Sequence, residues 1–85
     1  MSKMLEKKAE LTGKIVKIDK DKGYGFIISK ERRFVRFFFH WTGLETTTKN
    51  FADLVPNTVV KFTEAYGDRG PRAIQIRVIE EPVVA

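Results

Sequence analysis

Two neighbouring aromatic runs constrain what this chain can fold into more than any other feature of its sequence. The first extends from Lys22 to Ile28 and the second from Phe34 to Trp41, and in each the bulky residues recur two positions apart. Side chains two apart share one face of a β-strand, so the pattern predicts two strands. Paired as a hairpin, these strands place four rings on one surface. The four rings are those of Tyr24, Phe26, Phe38 and His40.

We interpret the ring-bearing face of this hairpin as a binding surface. A contiguous exposed aromatic patch usually marks a binding site. Lys22 and Arg36 lie beside the rings, and this mixture suits single-stranded nucleic acid, whose bases stack and whose phosphates attract cations. The alternative is that every ring belongs to the core. It fits Val35, Phe37 and Phe39 on the opposite face, but a domain of 85 residues is not expected to bury both faces of one hairpin.

Positive charge is concentrated in the part of the chain that contains the first aromatic run. The net charge is +5, and residues 1–36 hold 11 Lys and Arg against 5 Asp and Glu. A basic balance alone often reflects only solubility. Basic charge clustered around an aromatic strand pair is a more specific signal than the overall charge, and it indicates nucleic acid as the partner.

The composition argues against several other classes of protein. Without cysteine there is no disulfide framework and no thiolate metal site, and His40, the single histidine, has no convincing carboxylate pair or phosphate-binding glycine loop to act with. We therefore expect no enzymatic activity, no catalytic residues, no cofactor and no metal. No apolar run approaches the roughly 20 residues of a membrane span, and the N-terminus has no apolar signal core. A cytosolic or nuclear location follows by elimination, of which we expect the cytoplasm, with no membrane partner.

The remaining sequence favours an all-β barrel, because closing a sheet of five short strands hides its edges. A charged arm over 1–11, helical for a turn or disordered, is predicted ahead of a domain over 12–80 and a short tail over 81–85. The strands are predicted over 12–20, 22–28, 34–41, 58–66 and 72–79, with a long loop after the third. Ile15, Ile18 and Leu54 are predicted to contribute to the core. Val60 and Phe62 share one face of the fourth strand, and Ile74, Ile76 and Val78 share one face of the last.

Both aromatic runs resemble the nucleic-acid-binding motifs of the cold-shock domain family. Residues 22–27, Lys-Gly-Tyr-Gly-Phe-Ile, resemble its first ribonucleoprotein motif. Residues 37–41, Phe-Phe-Phe-His-Trp, resemble its second, usually written Val-Phe-Val-His-Phe. Supporting matches are Gly13, Phe51 to Leu54, and Arg69-Gly70-Pro71. The likeness covers residues 12–79 with the motifs in the family's order.

The resemblance implies a five-stranded antiparallel OB-fold barrel that binds single-stranded RNA or DNA with low sequence specificity and acts like an RNA chaperone. It also implies a role for each matching position. Tyr24, Phe26 and Phe38 are the central stacking rings, His40 and Trp41 extend them, Phe51 contributes from the long loop, and Lys22 and Arg69 match basic contact positions.

Departures from the family pattern indicate a divergent member, from a phage or an atypical genome. Where the family has Lys-Trp in the first strand, this chain has Val16 and Lys17, so a stacking ring is replaced by a cation. Arg36 stands where bacterial members often carry an acid, which is expected to strengthen phosphate attraction. Lys17 and Arg36 are therefore both candidate binding residues.

A second interpretation keeps the barrel and changes its partner. The aromatic face would then bind a polymerase, a nuclease or another host protein, making the chain an OB-fold interaction module, since fold alone does not settle function. Lys17 and Arg36 are compatible with such a change of partner. Binding of a short oligonucleotide distinguishes the two interpretations, and under either the chain is expected to be a monomer or weak dimer.

Overall fold

Five strands form a closed barrel in a computed structural model that describes residues 6–45, 52, 54–68 and 70–80. The strands are β1 (Glu6–Asp19), β2 (Tyr24–Ser29), β3 (Arg32–His40), β4 (Val59–Gly67) and β5 (Gly70–Glu80). A single turn of 3-10 helix, Trp41–Gly43, follows β3. Around the barrel the strands lie in the order β1, β2, β3, β5, β4. The predicted all-β, five-stranded barrel is confirmed.

Glycines in left-handed conformations shape two of the tight connections. Gly23, with φ of 75°, donates its N–H to the Asp19 carbonyl, and the Asp19 carboxylate accepts from the N–H of Lys22. Gly70, with φ of 96°, pairs with Gly67 where β4 meets β5. Such positive φ values are costly for residues with a Cβ, so glycine fits these turns. The first turn leads directly into the aromatic strand β2.

The core fills the barrel interior with side chains from the inward faces of the strands and from the loops. Phe37 and Phe62 meet there with ring centroids 5.1 Å apart, and Leu54 anchors its loop as the sequence predicts. Ile18 and Val35 pack against this core while remaining partly exposed. The buried cluster comprises Leu11, Ile15, Ile27, Phe37, Phe39, Leu44, Leu54, Val60, Phe62, Ala73 and Ile76.

One neighbouring strand pair corrects the prediction of an entirely antiparallel barrel. β3 and β5 run parallel, with Phe38 aligned with Arg72, whereas the other neighbouring strands of the described barrel are antiparallel. A closed ring with an odd number of strands cannot alternate direction at every step. At least one parallel pair is therefore unavoidable in a five-stranded barrel.

The first strand begins earlier than the sequence predicts. β1 starts at Glu6, which pairs with Tyr66 of β4, so the predicted helical turn or disordered arm over 1–11 is wrong from Glu6 onward. Backbone hydrogen bonds to a neighbouring strand do not require apolar side chains, and Leu11 adds a buried anchor. Residues 6–11 therefore form part of a strand although their polar composition does not predict one.

A bulge in β5 breaks the strict alternation predicted for that strand. Thr63 pairs with Ile74 and Lys61 with Arg77, so β5 carries one more residue than β4 between these pairs. Gln75 takes a left-handed φ of 51°, and its side-chain oxygen accepts a hydrogen bond from Thr63 at 3.1 Å. A bulge moves the following residues to the other face. As a result Ala73 and Ile76 point inward, and Ile74 does not share their face.

Glu64 of β4 is a buried carboxylate that accepts hydrogen bonds from Arg32 and Tyr66. Arg32 donates from Nε to Oε1 at 3.1 Å and from Nη2 to Oε2 at 2.7 Å, and the Tyr66 hydroxyl donates to Oε1 at 2.8 Å. Burial acts to raise the pKa of the Glu64 carboxyl, but the hydrogen bonds from Tyr66 and Arg32 outweigh it and hold the pKa below its usual value. Burial and the bond to Glu64 raise the pKa of Tyr66.

The lowered pKa of Glu64 predicts acid-sensitive stability. Because the unfolded chain binds the proton first as the pH falls, the stabilisation is complete above the ordinary pKa of 4.5 and is lost as the pH drops through the folded value. Glu64→Gln is expected to cost about 2 kcal/mol at neutral pH and to flatten the acid limb of the stability curve. Urea unfolding over a pH series measures both effects. An unchanged acid limb in the variant would contradict this assignment.

Candidate nucleic-acid interface

Three rings form a continuous patch on the outer face of β2 and β3, which we call the ring surface: Tyr24, Phe26 and Phe38. Cross-strand register places Phe26 opposite Phe38, and Tyr24 opposite His40. Tyr24 stacks on Phe38 with centroids 5.6 Å apart and planes 25° apart. Phe26 meets both rings edge-on, with centroids 5.9 Å away. The rings lie together as the alternation predicts, and each is only half-buried.

Gly25 lies behind the ring surface, between Tyr24 and Phe26 in β2, and faces the barrel interior. A Cβ at this position would overlap the Lys17 carbonyl oxygen and lie 2.7 Å from Cε1 of the buried Phe39 ring. Glycine thus lets β1 and the Phe39 ring pack directly against the backbone of β2. The outward rings are supported from behind by this contact.

Two arginines lie over rings of the ring surface, Arg36 from β3 and Arg72 from the neighbouring strand β5. The Arg36 guanidinium carbon is 5.6 Å from the Phe26 ring centroid, and that of Arg72 is 5.6 Å from the Phe38 centroid. Both distances fall within the range of cation–π attraction. Lys17 is exposed and aligned with Phe26 across the β1–β2 pair. Positive charge therefore borders the rings on several sides.

Arg72 is a residue of this surface that sequence analysis missed. It reaches Phe38 through the parallel pairing of β3 with β5, which joins segments far apart in the chain. No local alternation or motif spacing reports such a contact. The predicted residue Arg69, in the turn before β5, lies outside the described residues, as does Phe51 of the long loop.

Trp41 lies beside the turn that precedes β2 and next to the His40 ring. Its backbone N–H donates to the Gly23 carbonyl at 2.9 Å, and a Cβ on Gly23 would lie 2.6 Å from the indole Cδ1. The His40 ring lies 5.8 Å from the indole, and its Nδ1 is 3.0 Å from the Thr42 hydroxyl. Trp41 is half-exposed, and Lys22 is exposed in the adjoining turn. Binding roles for all these residues stay predictions.

Among the described residues, no cluster of three or more histidine and acidic side chains is placed to hold a metal ion. In the same part of the chain, no helix has the length and apolar character required to cross a membrane.

A small closed barrel with rings and cations on one face defines an OB-fold of the nucleic-acid-binding class. The family model described as the 'Cold-shock' DNA-binding domain matches residues 11–79. A cold shock-like protein of Thermotoga maritima is 37% identical over 70 residues, which cover 82% of this chain and 100% of the relative. The chain belongs to the cold-shock domain family, whose members generally bind single-stranded nucleic acids.

Structural comparison agrees with the sequence relationship. The structure described as "drosophila Unr CSD456" superposes with a TM-score of 0.66 at 26% sequence identity. The match covers 92% of this chain and 30% of the other, so this chain spans about a third of that longer protein.

Proposed function

We propose that this protein binds single-stranded RNA or DNA with low sequence specificity and acts as an RNA chaperone. The observation that carries the proposal is the ring surface itself, where three half-exposed rings lie 5.6–5.9 Å apart. Arg36 and Arg72 stand over two of these rings, where they can also reach a phosphate backbone. Rings for bases and cations for phosphates are the two components that single-strand recognition requires.

The proposed mechanism needs neither nucleotide hydrolysis nor a chemical step. A base can stack on Tyr24, Phe26 or Phe38 only when it is unpaired, and each stacked base contributes about 1–3 kcal/mol. Binding therefore shifts the equilibrium of the nucleic acid away from hairpins and towards single strands. Lys17, Lys22 and the two arginines would attract phosphates without distinguishing sequences.

Low specificity follows from the same chemistry. Every base has a flat face that can stack, whereas discrimination requires hydrogen bonds to base edges. His40 and Trp41 extend the stacking area at one end. We further propose that the protein acts in the cytoplasm as a monomer or weak dimer.

Trp41 provides a direct test because it is the single tryptophan of the chain. Its fluorescence is expected to be quenched by a short single-stranded oligonucleotide and much less by a duplex of equal length. Higher salt is expected to weaken the binding, because neutralised phosphates release counterions.

Titrating the wild-type protein at two salt concentrations, with the duplex as control, measures both the preference for single strands and the salt dependence of binding. The same titrations followed by a second method, such as filter retention, detect binding that leaves Trp41 unchanged. Absence of single-strand binding by both methods would refute the proposal and favour the protein-interaction module.

A further inference from the structure

Phe34 is a large apolar side chain left almost entirely in solvent. It is 98% exposed, while the other exposed large apolar side chains of the described residues range from 42% to 53%. It lies near the tip of the β2–β3 hairpin, outside the ring surface. A fully solvated ring contributes little to the core, so another role is expected for it.

A bulge in β3 gives Phe34 its position. Ile28 pairs with Arg36, but the next residue of β2, Ser29, pairs with Arg32. Three residues of β3, with Phe34 in the middle, therefore lie between pairs that are adjacent on β2. Bulges of this kind redirect side chains. Here the bulge turns Arg32 towards the barrel and leaves the Phe34 ring outside.

The backbone around Phe34 is fixed on both sides. Two residues before it, Arg32 is bonded by two hydrogen bonds to the buried Glu64 carboxylate. Immediately after it, Val35 packs against the core. The exposed ring is thus held by an anchored segment, and a ligand would pay little to order the backbone.

Val35 packs against the core, so its neighbours Phe34 and Arg36 lie on the outward side of β3. The bulge interrupts the regular strand spacing, and Phe34 lies beyond Arg36 towards the hairpin tip. Arg33 and Lys30 are also exposed at this tip. The acid of the tip, Glu31, accepts hydrogen bonds from Ser29 and Thr12. The surroundings of the ring are therefore basic, in keeping with a polyanionic ligand.

We propose that Phe34 is an additional base-stacking position that lengthens the binding site from the ring surface to the tip of the hairpin. The occupant is the same single strand, continuing past Phe26 and Arg36. This inference rests on the proposed function, because it requires bases to occupy the ring surface first.

The test compares wild type and Phe34→Ala on oligothymidylates of about four and about eight nucleotides, sizes within the range of OB-fold sites. We expect similar affinity for the shorter probe and at least about a fivefold loss for the longer one, the lower limit for one stacked base. Because the ring is solvated, Phe34→Ala is expected to fold normally.

Two further variants separate stacking from general apolar contact. Phe34→Tyr keeps the flat ring and is expected to retain affinity for the longer probe, whereas Phe34→Leu is expected to behave like Phe34→Ala. Equal affinity of wild type and Phe34→Ala at both lengths would overturn the inference, as would an equal loss at both. If the wild type binds neither probe, the proposed function itself fails, which is a separate result.

Discussion

Replacing both Tyr24 and Phe38 with alanine is expected to lower the affinity for a single-stranded oligonucleotide by about 30-fold or more. Each lost stack removes at least about 1 kcal/mol, and the two rings form the stacked pair of the ring surface. The loss of Phe38 also removes the ring beneath Arg72. Fluorescence titration or filter binding with wild type and variant measures the change.

Ile79→Ala is a matched control, because Ile79 is 53% exposed and lies outside the ring surface. Its affinity is expected to equal that of the wild type. The double variant should keep its far-UV circular dichroism spectrum and a cooperative unfolding transition, since both rings are outside the buried core. Unfolding of the double variant would show that the rings belong to the core, and unchanged affinity would place the bases elsewhere.

Gly25→Ala is expected to destabilise the barrel by about 3 kcal/mol. The added methyl group would overlap the Lys17 carbonyl oxygen and lie 2.7 Å from the Phe39 ring. Backbone on one side and a buried ring on the other leave no flexible side chain to move aside. Chemical denaturation measures the loss, and with it the tightness of the wall that supports the ring surface.

Gly43→Ala is the matched control for Gly25→Ala. The nearest atom to a Cβ at Gly43 is the Ala73 carbonyl oxygen at 3.4 Å, which is close to an ordinary contact. A Gly to Ala change without strain reduces the entropy of the unfolded chain, so this variant is expected to be about as stable as wild type. If the two variants were equally stable, the close packing behind the ring surface would be refuted.

The faces of the aromatic hairpin were predictable because they depend on alternation within two short segments. Tyr24, Phe26 and Phe38 lie outward, and Phe37 and Phe39 lie inward, as a period of two requires. The barrel class followed from five such segments. Alternation within a segment was sufficient to predict which side chains face inward wherever the strand has no bulge.

Irregular strands and distant contacts were not predictable in the same way. The bulge at Gln75 and the bulge before Arg36 each insert residues that alternation cannot anticipate. Arg72 joins the ring surface through pairing between distant segments. Glu64 is different, since it follows Val60 and Phe62 at the same period and its inward position was available from the sequence. Its charge argued against burial, and the hydrogen bonds from Arg32 and Tyr66 offset the cost of burying that charge.

The parallel junction between β3 and β5 has a consequence for the energetics of the molecule. Phe38 and Arg72 meet where the barrel closes, so the complete ring surface with its arginines exists only after distant parts of the chain have come together. An incompletely assembled chain lacks that surface. A single strand bound across this junction would therefore favour the closed barrel by mass action, and its concentration would enter the folding equilibrium. The free energy of binding would then add to the free energy of folding, so that the two are coupled.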